Sequence, residues 1–216
     1  LRSNSPPMQR QIVRRALAHS LDRRLISTRV SYTQREPLRS LIPPSLRGGK
    51  TEPWPTYNLA TARKLFQQAG YCSGRRLQLP FTFRTNVPSD RLMALTWQAQ
   101  LKRDLPNCVH MTLNGVESTT VYKQLSEGSF EAVILDWSGS YPDPEAYLSP
   151  LLSCKRAKGN ICEEGEAVDG GTFWTAPGLQ EALSRSDMLK GTPRLQELAS
   201  VDAIAAEGAA HIPVWF

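Results

Sequence analysis

The chain has 216 residues, 40% of them hydrophobic, which is enough for one substantial core or at most two small ones. Its formal net charge is +6, but the basic residues are scattered and no zinc-finger spacing or RNP-type motif accompanies them, so a nucleic-acid partner would rest on net charge alone. No segment approaches the roughly 18 consecutive apolar residues that a membrane span requires. Composition therefore favours a single α/β domain over residues 1–216.

The N-terminal segment predicts an amphipathic helix. Ser5 followed by Pro6 and Pro7 is a plausible helix start, and apolar residues then recur on one face at helical spacing. The densest basic group lies on and just after this helix, where we expect a solvated face. The apolar positions are Ile12, Val13, Ala16, Leu17 and Leu21, and the basic ones are Arg14, Arg15, Arg23, Arg24 and Arg29.

A loop and a second helix are predicted next. Residues 37–55 are rich in proline and glycine, which forbids regular structure there. Asn58 is well placed to cap a helix and Gly70 to end it. The residues that mark the loop are Pro43, Pro44, Gly48 and Gly49.

Residues 77–135 alternate between the periods of strands and helices. Strands are predicted at 77–83 and 109–113, and the apolar run 132–135 predicts a third strand buried on both faces. Ser89 and Ser118 are expected to start the intervening helices. This β-α-β-α-β order favours parallel neighbours, with ligands binding beyond the carboxyl ends of the strands. The inward positions expected on the two helices are Leu92, Leu95, Thr96 and Ala99, then Val121, Tyr122 and Leu125.

The C-terminal part contains a cysteine-bearing region, 154–176, that is predicted to be irregular. A short helix after Pro177, a longer one from Thr192 and an apolar extended segment at 212–216 follow.

Four cysteines are too few for a scaffold built on disulfides, and they lack the C-x-x-C spacing of zinc sites, so no metal site is predicted. Cys154 and Cys162 bracket a polar stretch that can turn back on itself, which predicts a disulfide in an oxidising compartment. Cys72 and Cys108 are expected to be a loop thiol and a strand-edge thiol.

Nothing in the sequence supports catalysis. His19, His110 and His211 are the only candidates for a general base near neutral pH, and none lies in a catalytic pattern. No G-x-S-x-G elbow, phosphate-binding glycine loop or H-E-x-x-H pair occurs. We therefore predict a protein that is not an enzyme and uses no cofactor.

The segment directly after the third predicted strand has the composition of a pocket wall. Its aromatic rings offer flat apolar area, and its small hydroxyl residues and glycine offer fixed hydrogen-bond partners. The alternative is that Trp137 packs in the core and Asp143 merely caps a following helix. We favour the cap for Asp143 and the ligand cleft for Trp137 and Ser140. The candidate binding residues here are Trp137, Ser138, Gly139, Ser140 and Tyr141.

Several stretches resemble, in the same order, motifs of the peptide/nickel family of extracytoplasmic solute-binding proteins. Residues 13–26 resemble its "RxALxxAxDRxxI" helix, and residues 57–71 its "YDxxKAxxLLxEAGY". Residues 122–132 are similar to "YxxxLxxGxFDA", residues 137–144 to "WxxDYPDP", and residues 211–216 to the late "xxPVxx" strand. Each motif is weak alone, but their order and spacing are together specific.

The resemblance implies a lobe of the class II periplasmic-binding-protein fold, with a mixed sheet and helices on both faces. Such a protein has two lobes that close on a small solute such as a peptide, and it delivers the solute to the permease subunits of an ABC importer. Only the second lobe is matched, so we expect the chain to begin inside a longer gene product. An export signal, and any lipid anchor, would lie upstream of Leu1. The implied protein is a periplasmic monomer that meets the membrane only through the permease or such an anchor.

The resemblance also implies site residues. The loop that contains Thr85 and Asn86 borders the cleft, and the carboxylate of the family's "WxxD" motif pairs with a peptide's α-amino group. Ser140 stands at that position, so we expect a solute without that ammonium group, or one held by another carboxylate. Asp136 and Asp143 are nearby, and we favour the first expectation. The rival to transport is an interaction domain that keeps the lobe fold.

Overall fold

A computed structural model describes residues 1–46 and 52–216. Gly48 and Gly49 of the predicted loop lie outside the described residues. The helices are α1 Gln11–Ser20, α2 Arg23–Ser31, α3 Leu59–Gln68, α4 Pro88–Asp104, α5 Ser118–Gln124, α6 Ser149–Leu152, α7 Glu166–Asp169, α8 Leu179–Met188 and α9 Gly191–Gly208, with a 3₁₀ turn at Pro144–Tyr147. The strands are β1 Leu77–Arg84, β2 Val109–Val116, β3 Ala132–Val133, β4 Arg156–Lys158 and β5 Ile161–Glu164.

The central sheet has the order β2-β1-β3. β1 pairs in parallel with β2 over the whole strand, from Leu77 opposite Val109 to Arg84 opposite Val116. β3 pairs in parallel with the other edge of β1. The predicted β-α-β-α-β order is therefore confirmed. Antiparallel pairing, which the predicted mixed sheet would include, occurs outside the central sheet. It is found in the β4–β5 hairpin and in two isolated bridges, Pro37–Trp215 and Ile161–Trp174.

Helices cover both faces of this sheet, as predicted. On one face Phe81 meets Trp97 of α4 edge to face, with ring centroids 5.5 Å apart. On the other face α5 packs Val121 and Leu125 near Val133. β3 is shorter than the predicted strand, and Val133 is only partly buried because β3 is an outer strand of the sheet. The prediction of burial on both faces was wrong.

Helix α4 buries a different stripe from the one predicted. Leu92 and Leu95 are each 44% exposed, whereas Met93 and Trp97 are 2% exposed. Both stripes have helical spacing, so the period alone could not choose between them. Packing of the large Trp97 ring on Phe81 decides the orientation. The exposed stripe includes Ala99, and the buried one is Asp90, Met93, Ala94, Trp97, Gln100 and Leu101.

The start of α1 also differs from the prediction. The Ser5 hydroxyl donates to the Glu131 carboxylate instead of capping a helix, and α1 begins at Gln11. Similarly, the side chain of Glu117 caps α5, so Ser118 is the first residue of that helix and not its cap.

Two arginines of the predicted solvated face are buried. Arg14 is 3% exposed and donates from Nε to the Gly208 carbonyl at 2.8 Å. Arg23 is 5% exposed and donates from Nε to the Pro213 carbonyl at 2.7 Å. The prediction failed for this pair because backbone carbonyls from distant parts of the chain accept hydrogen bonds from both guanidinium groups.

A second hydrophobic core is separate from the core that packs around the central sheet. It is formed by α8, α9 and the segments around Trp54 and Trp174. Region 154–176 is more regular than predicted, since it contains the β4–β5 hairpin and α7.

The structure contains two disulfides. Cys154–Cys162 links the segment just before β4 to β5 and confirms the predicted pair. Cys72–Cys108 was not predicted, and the expectation of two separate thiols was wrong. The turn after α3 returns the chain to the start of β1, which pairs with β2, and this brings the two Cα atoms within 4.0 Å.

Candidate functional site

The loops that leave the three parallel strands meet at the end of the sheet where the carboxyl ends of the strands lie, which we call the sheet edge. Thr85 and Asn86 follow β1, Ser118 follows β2, and Trp137 lies shortly beyond β3. Because the strands are parallel, their carboxyl ends share this edge, where ligands of open α/β sheets bind. The predicted binding residues therefore lie on one edge, although they come from two separate loops.

Arg84, the last residue of β1, organises the edge. It is 4% exposed, and its Nε donates to Asp90 Oδ2 at 2.7 Å while Nη2 donates to Oδ1 at 3.2 Å. Its Nη1 donates to the Tyr122 hydroxyl at 2.9 Å and to the Asp136 carboxylate. One guanidinium thus ties together α4, α5 and the end of β3.

The electrostatics of this cluster follow from its contacts. Burial works against the charge of Arg84, but the hydrogen bonds that it donates to the two aspartates outweigh burial and hold the pKa of Arg84 above its ordinary value. Burial likewise works to raise the pKa of Asp136, yet the bonds from Arg84 and Tyr122 prevail and lower it. The pKa of Tyr122 is raised, first by burial and then by its bond to Asp136. Asp136 therefore stays charged at neutral pH.

Thr85 and Asn86 are exposed, and Asn86 has a structural partner. Asn86 Oδ1 accepts from the Ser118 hydroxyl at 2.6 Å and from the Ser118 amide at 3.2 Å. The Thr85 amide donates to the Val116 carbonyl at 2.9 Å. The loop after β1 is thereby fixed to the start of α5, which limits its movement at the sheet edge.

The segment after β3 presents its rings to solvent on a supported backbone. Trp137 is 47% exposed, so it does not pack in the core, and its Nε1 donates to the Ala146 carbonyl at 2.8 Å. A Cβ at Gly139 would lie 2.6 Å from Tyr147 Cε2, so this position requires glycine. Tyr141 is 51% exposed and donates to Glu145. Ser138 and Ser140, between these rings, are also exposed.

Asp143 is the predicted cap. Its Oδ1 accepts from the Glu145 amide at 2.8 Å, and the carboxylate pairs with Arg194 at 2.7 and 3.0 Å. The Arg194 hydrogen bond is the main cause that lowers the pKa of Asp143. The Asp143 carboxylate therefore links the 3₁₀ turn to α9.

The candidate site is an open surface. Two adjoining cavities, of about 370 and 290 Å³, lie elsewhere, and both are lined by Gln11, Arg14, Asn160 and Trp174. They lie between α1, α9 and the β4–β5 hairpin. We give the sheet edge more weight, because it gathers the exposed aromatic and hydroxyl groups that a ligand would contact.

Within residues 1–46 and 52–216, no three His, Cys, Asp or Glu side chains are grouped so that they could hold a metal ion. None of the helices in the same ranges is both long and apolar enough to cross a membrane.

Sequence reasoning missed the partners of Arg84. Asp90 is spaced with Met93, Ala94 and Trp97 on the buried stripe of α4. A carboxylate at such a spacing indicates a buried cation, because an unpaired one would be too costly. The sequence did not reveal this signal, because the predicted buried stripe of α4 did not include Asp90. Tyr122, predicted to face inward, is 48% exposed at the edge.

The comparison that decides the family is a sequence profile described as "Bacterial extracellular solute-binding proteins, family 5 Middle", which matches residues 1–159. The chain belongs to this family. The relatives found are binding proteins. The chain is 29% identical over 161 residues to the periplasmic murein peptide-binding protein MppA of Escherichia coli strain K12, covering 72% of this chain and 29% of MppA. It is 27% identical over 191 residues to heme-binding protein A of Haemophilus influenzae, covering 85% of this chain and 34% of that protein.

Solved structures of the family have the same fold. A dipeptide binding protein from Pseudoalteromonas sp. SM9913, in complex with Met-Leu, superposes with a TM-score of 0.83 at 24% identity. The superposition covers 99% of this chain and 41% of that protein. HbpA2 from Haemophilus parasuis gives a TM-score of 0.84 at 22% identity over 100% of this chain and 41% of its own. These structures support the predicted class II α/β lobe, and the chain spans less than half the length of the relatives it matches.

Proposed function

We propose that this chain is the ligand-facing second lobe of an extracytoplasmic solute-binding protein that delivers a peptide-like or other small solute to an ABC importer. The observation that carries the proposal is the sheet edge, where exposed aromatic and hydroxyl side chains stand on a fixed backbone at the carboxyl ends of parallel strands. Membership of family 5 supports the transport role. The working protein is a periplasmic monomer whose partners are the solute and the permease subunits.

The solute class is supported by the names of relatives. One relative is named for murein peptides and another for heme, and a third is named a probable deoxycholate-binding protein. Such variety indicates that the lobe fold alone does not fix the solute. Peptides are the first class to test, because MppA and a di/tripeptide-binding protein of Pseudomonas aeruginosa are both among the relatives.

The proposed binding surface needs an opposing wall. The sheet edge is open, so it cannot by itself exclude water from a solute as a closed cleft does. We therefore expect the isolated chain to fold as a monomer and to bind peptides no more tightly than about millimolar. Its proposed contact residues are Thr85, Asn86, Trp137, Ser138, Gly139, Ser140 and Tyr141.

The test uses the complete two-lobed protein, because only that form closes a cleft. Small molecules that co-purify with it would be identified by mass spectrometry, and peptide panels titrated by calorimetry. Trp137→Ala is expected to weaken solute binding about tenfold or more, because the half-exposed ring offers apolar contact area. Met188→Ala, which removes a 78% exposed apolar side chain from α8, is the control and should leave affinity unchanged.

Two outcomes would contradict the proposal. A two-lobed protein that retains no solute and binds no peptide, yet captures another protein, would favour the interaction domain. Binding of nucleic acid with a steep salt dependence would favour the electrostatic alternative.

A further inference from the structure

The carboxylate of Asp136 is the one acidic group in residues 136–145 that the structure leaves open to solvent at the sheet edge. Its side chain is 76% exposed. The other two acidic residues of that segment bond to nearby protein groups. Asp143 caps the 3₁₀ turn and pairs with Arg194, and Glu145 accepts a hydrogen bond from Tyr141.

Asp136 is also held in a fixed position. Two side-chain donors, Arg84 Nη1 and the Tyr122 hydroxyl at 3.0 Å, bond to its Oδ1. Oδ1 is thus anchored to the sheet, and the exposed carboxylate can still accept a donor from outside through Oδ2. An acceptor that is pre-oriented in this way loses little conformational entropy when a ligand binds.

The charge of Asp136 is not cancelled by its arginine. Arg84 makes its two remaining donor contacts with Asp90, which is 2% exposed, so one guanidinium faces two carboxylates. The single positive charge of Arg84 is therefore shared between two carboxylates, and only that of Asp136 is exposed to solvent. The ring of Tyr122, whose hydroxyl donates to Asp136, and the ring of Trp137, the next residue in the chain, are both about half exposed, and ring faces attract cations.

We propose that Asp136 is the specificity-determining residue that binds an ammonium group of the solute, an inference that rests on the proposed transport function. The exposed Ser140 hydroxyl adds at most a neutral acceptor. We therefore favour, over our preference from the sequence for a solute without an ammonium group, the alternative in which another carboxylate holds that group.

Three probes test this in the two-lobed protein by calorimetry at one ionic strength. Met-Leu carries an α-ammonium group, N-acetyl-Met-Leu carries no cation, and N-acetyl-Lys-Leu carries an ammonium group on its side chain. The variant Asp136→Asn removes the charge but keeps an oxygen that can accept from Arg84 and Tyr122. Asp169→Asn makes the same change in net charge at an exposed residue of α7, outside the loops of the sheet edge.

Wild type should bind at least one of the cationic probes about tenfold or more tightly than the neutral probe, because bonds to charged groups are stronger than neutral ones. Which cationic probe is preferred identifies an α-ammonium or a side-chain source. Asp136→Asn should reduce that preference to less than about threefold without weakening the neutral probe, and Asp169→Asn should retain it.

Equal binding of all three probes by wild type, or a preference that survives in Asp136→Asn, would overturn this inference and leave the transport proposal standing. A wild-type protein that binds none of the three would instead refute the peptide function, and this inference with it.

Discussion

Removing the Arg84 guanidinium should destabilise the fold far more than removing its exposed partner. The side chains of Arg84 and Asp90 are 5% and 3% exposed, so Arg84→Met leaves a buried carboxylate without its counter-charge. Breaking a buried pair in this way costs about 3 to 5 kcal/mol of unfolding free energy. Asp136→Asn affects a carboxylate that is 76% exposed, and its cost should stay below about 1 kcal/mol.

Urea unfolding of the chain, followed by far-ultraviolet circular dichroism, would measure both effects. With a slope of about 2 to 3 kcal/mol/M for a domain of this size, Arg84→Met should lower the urea midpoint by about 1 to 2 M. The double variant Arg84→Met/Asp90→Leu removes both charges of the buried pair. It should be more stable than Arg84→Met alone, because no buried carboxylate remains unpaired.

The reasoning would be refuted if Arg84→Met and Asp136→Asn lowered the midpoint by similar small amounts. It would also be refuted if Asp90→Leu in the Arg84→Met background restored nothing, since the cost would then come from lost packing of the arginine stem.

Three further predictions concern the rest of the fold. Thiol counting on denatured, unreduced protein from an oxidising host should find no free thiol, whereas the sequence alone predicted two. In the chain-entropy model, Cys72–Cys108, with a separation of 36 residues, stabilises the fold by roughly 4 kcal/mol, and Cys154–Cys162, with a separation of 8, by roughly 2.5 kcal/mol. Burial lowers the pKa of His211 from 6.5 to about 3, so its stabilising contribution is complete above pH 6.5 and is lost as the pH falls toward 3. At pH 5 the free energy of unfolding, measured by thermal denaturation, should be about 1 to 2 kcal/mol lower than above pH 6.5. The variant His211→Gln should show a weaker dependence on pH. Gly208→Ala should destabilise by about 1 to 3 kcal/mol or more, because the new Cβ would lie 2.1 Å from Trp174 Cζ2; an unchanged melting temperature would contradict this contact.

The order of elements was readable from the sequence because strand and helix periods are local properties. The order of strand and helix periods over residues 77–135 was enough to predict parallel pairing, and Asn58 was recognised as a cap by its position alone. The Cys154–Cys162 pair was likewise local, because a short turn joins the two residues. Motifs spread along the chain added the family.

The features that the sequence could not decide depend on contacts between distant segments. Which stripe of α4 is buried was settled by the fit of Trp97 against Phe81, since both stripes have the same period. Arg14 and Arg23 look like surface residues in the sequence, and only the carbonyls of loops near Gly208 and Pro213 make their burial possible.

The candidate site divides in the same way. The sequence by itself determined that aromatic and hydroxyl residues follow the third strand, because composition and spacing are written locally. Only the tertiary structure decided which charges are exposed at the proposed binding surface. Asp143 pairs with Arg194, Arg84 bonds both Asp90 and Asp136, and the side chain of Asp136 is exposed. Charge balance at a sheet edge depends on side chains from several helices meeting at one point, and no local pattern encodes that meeting.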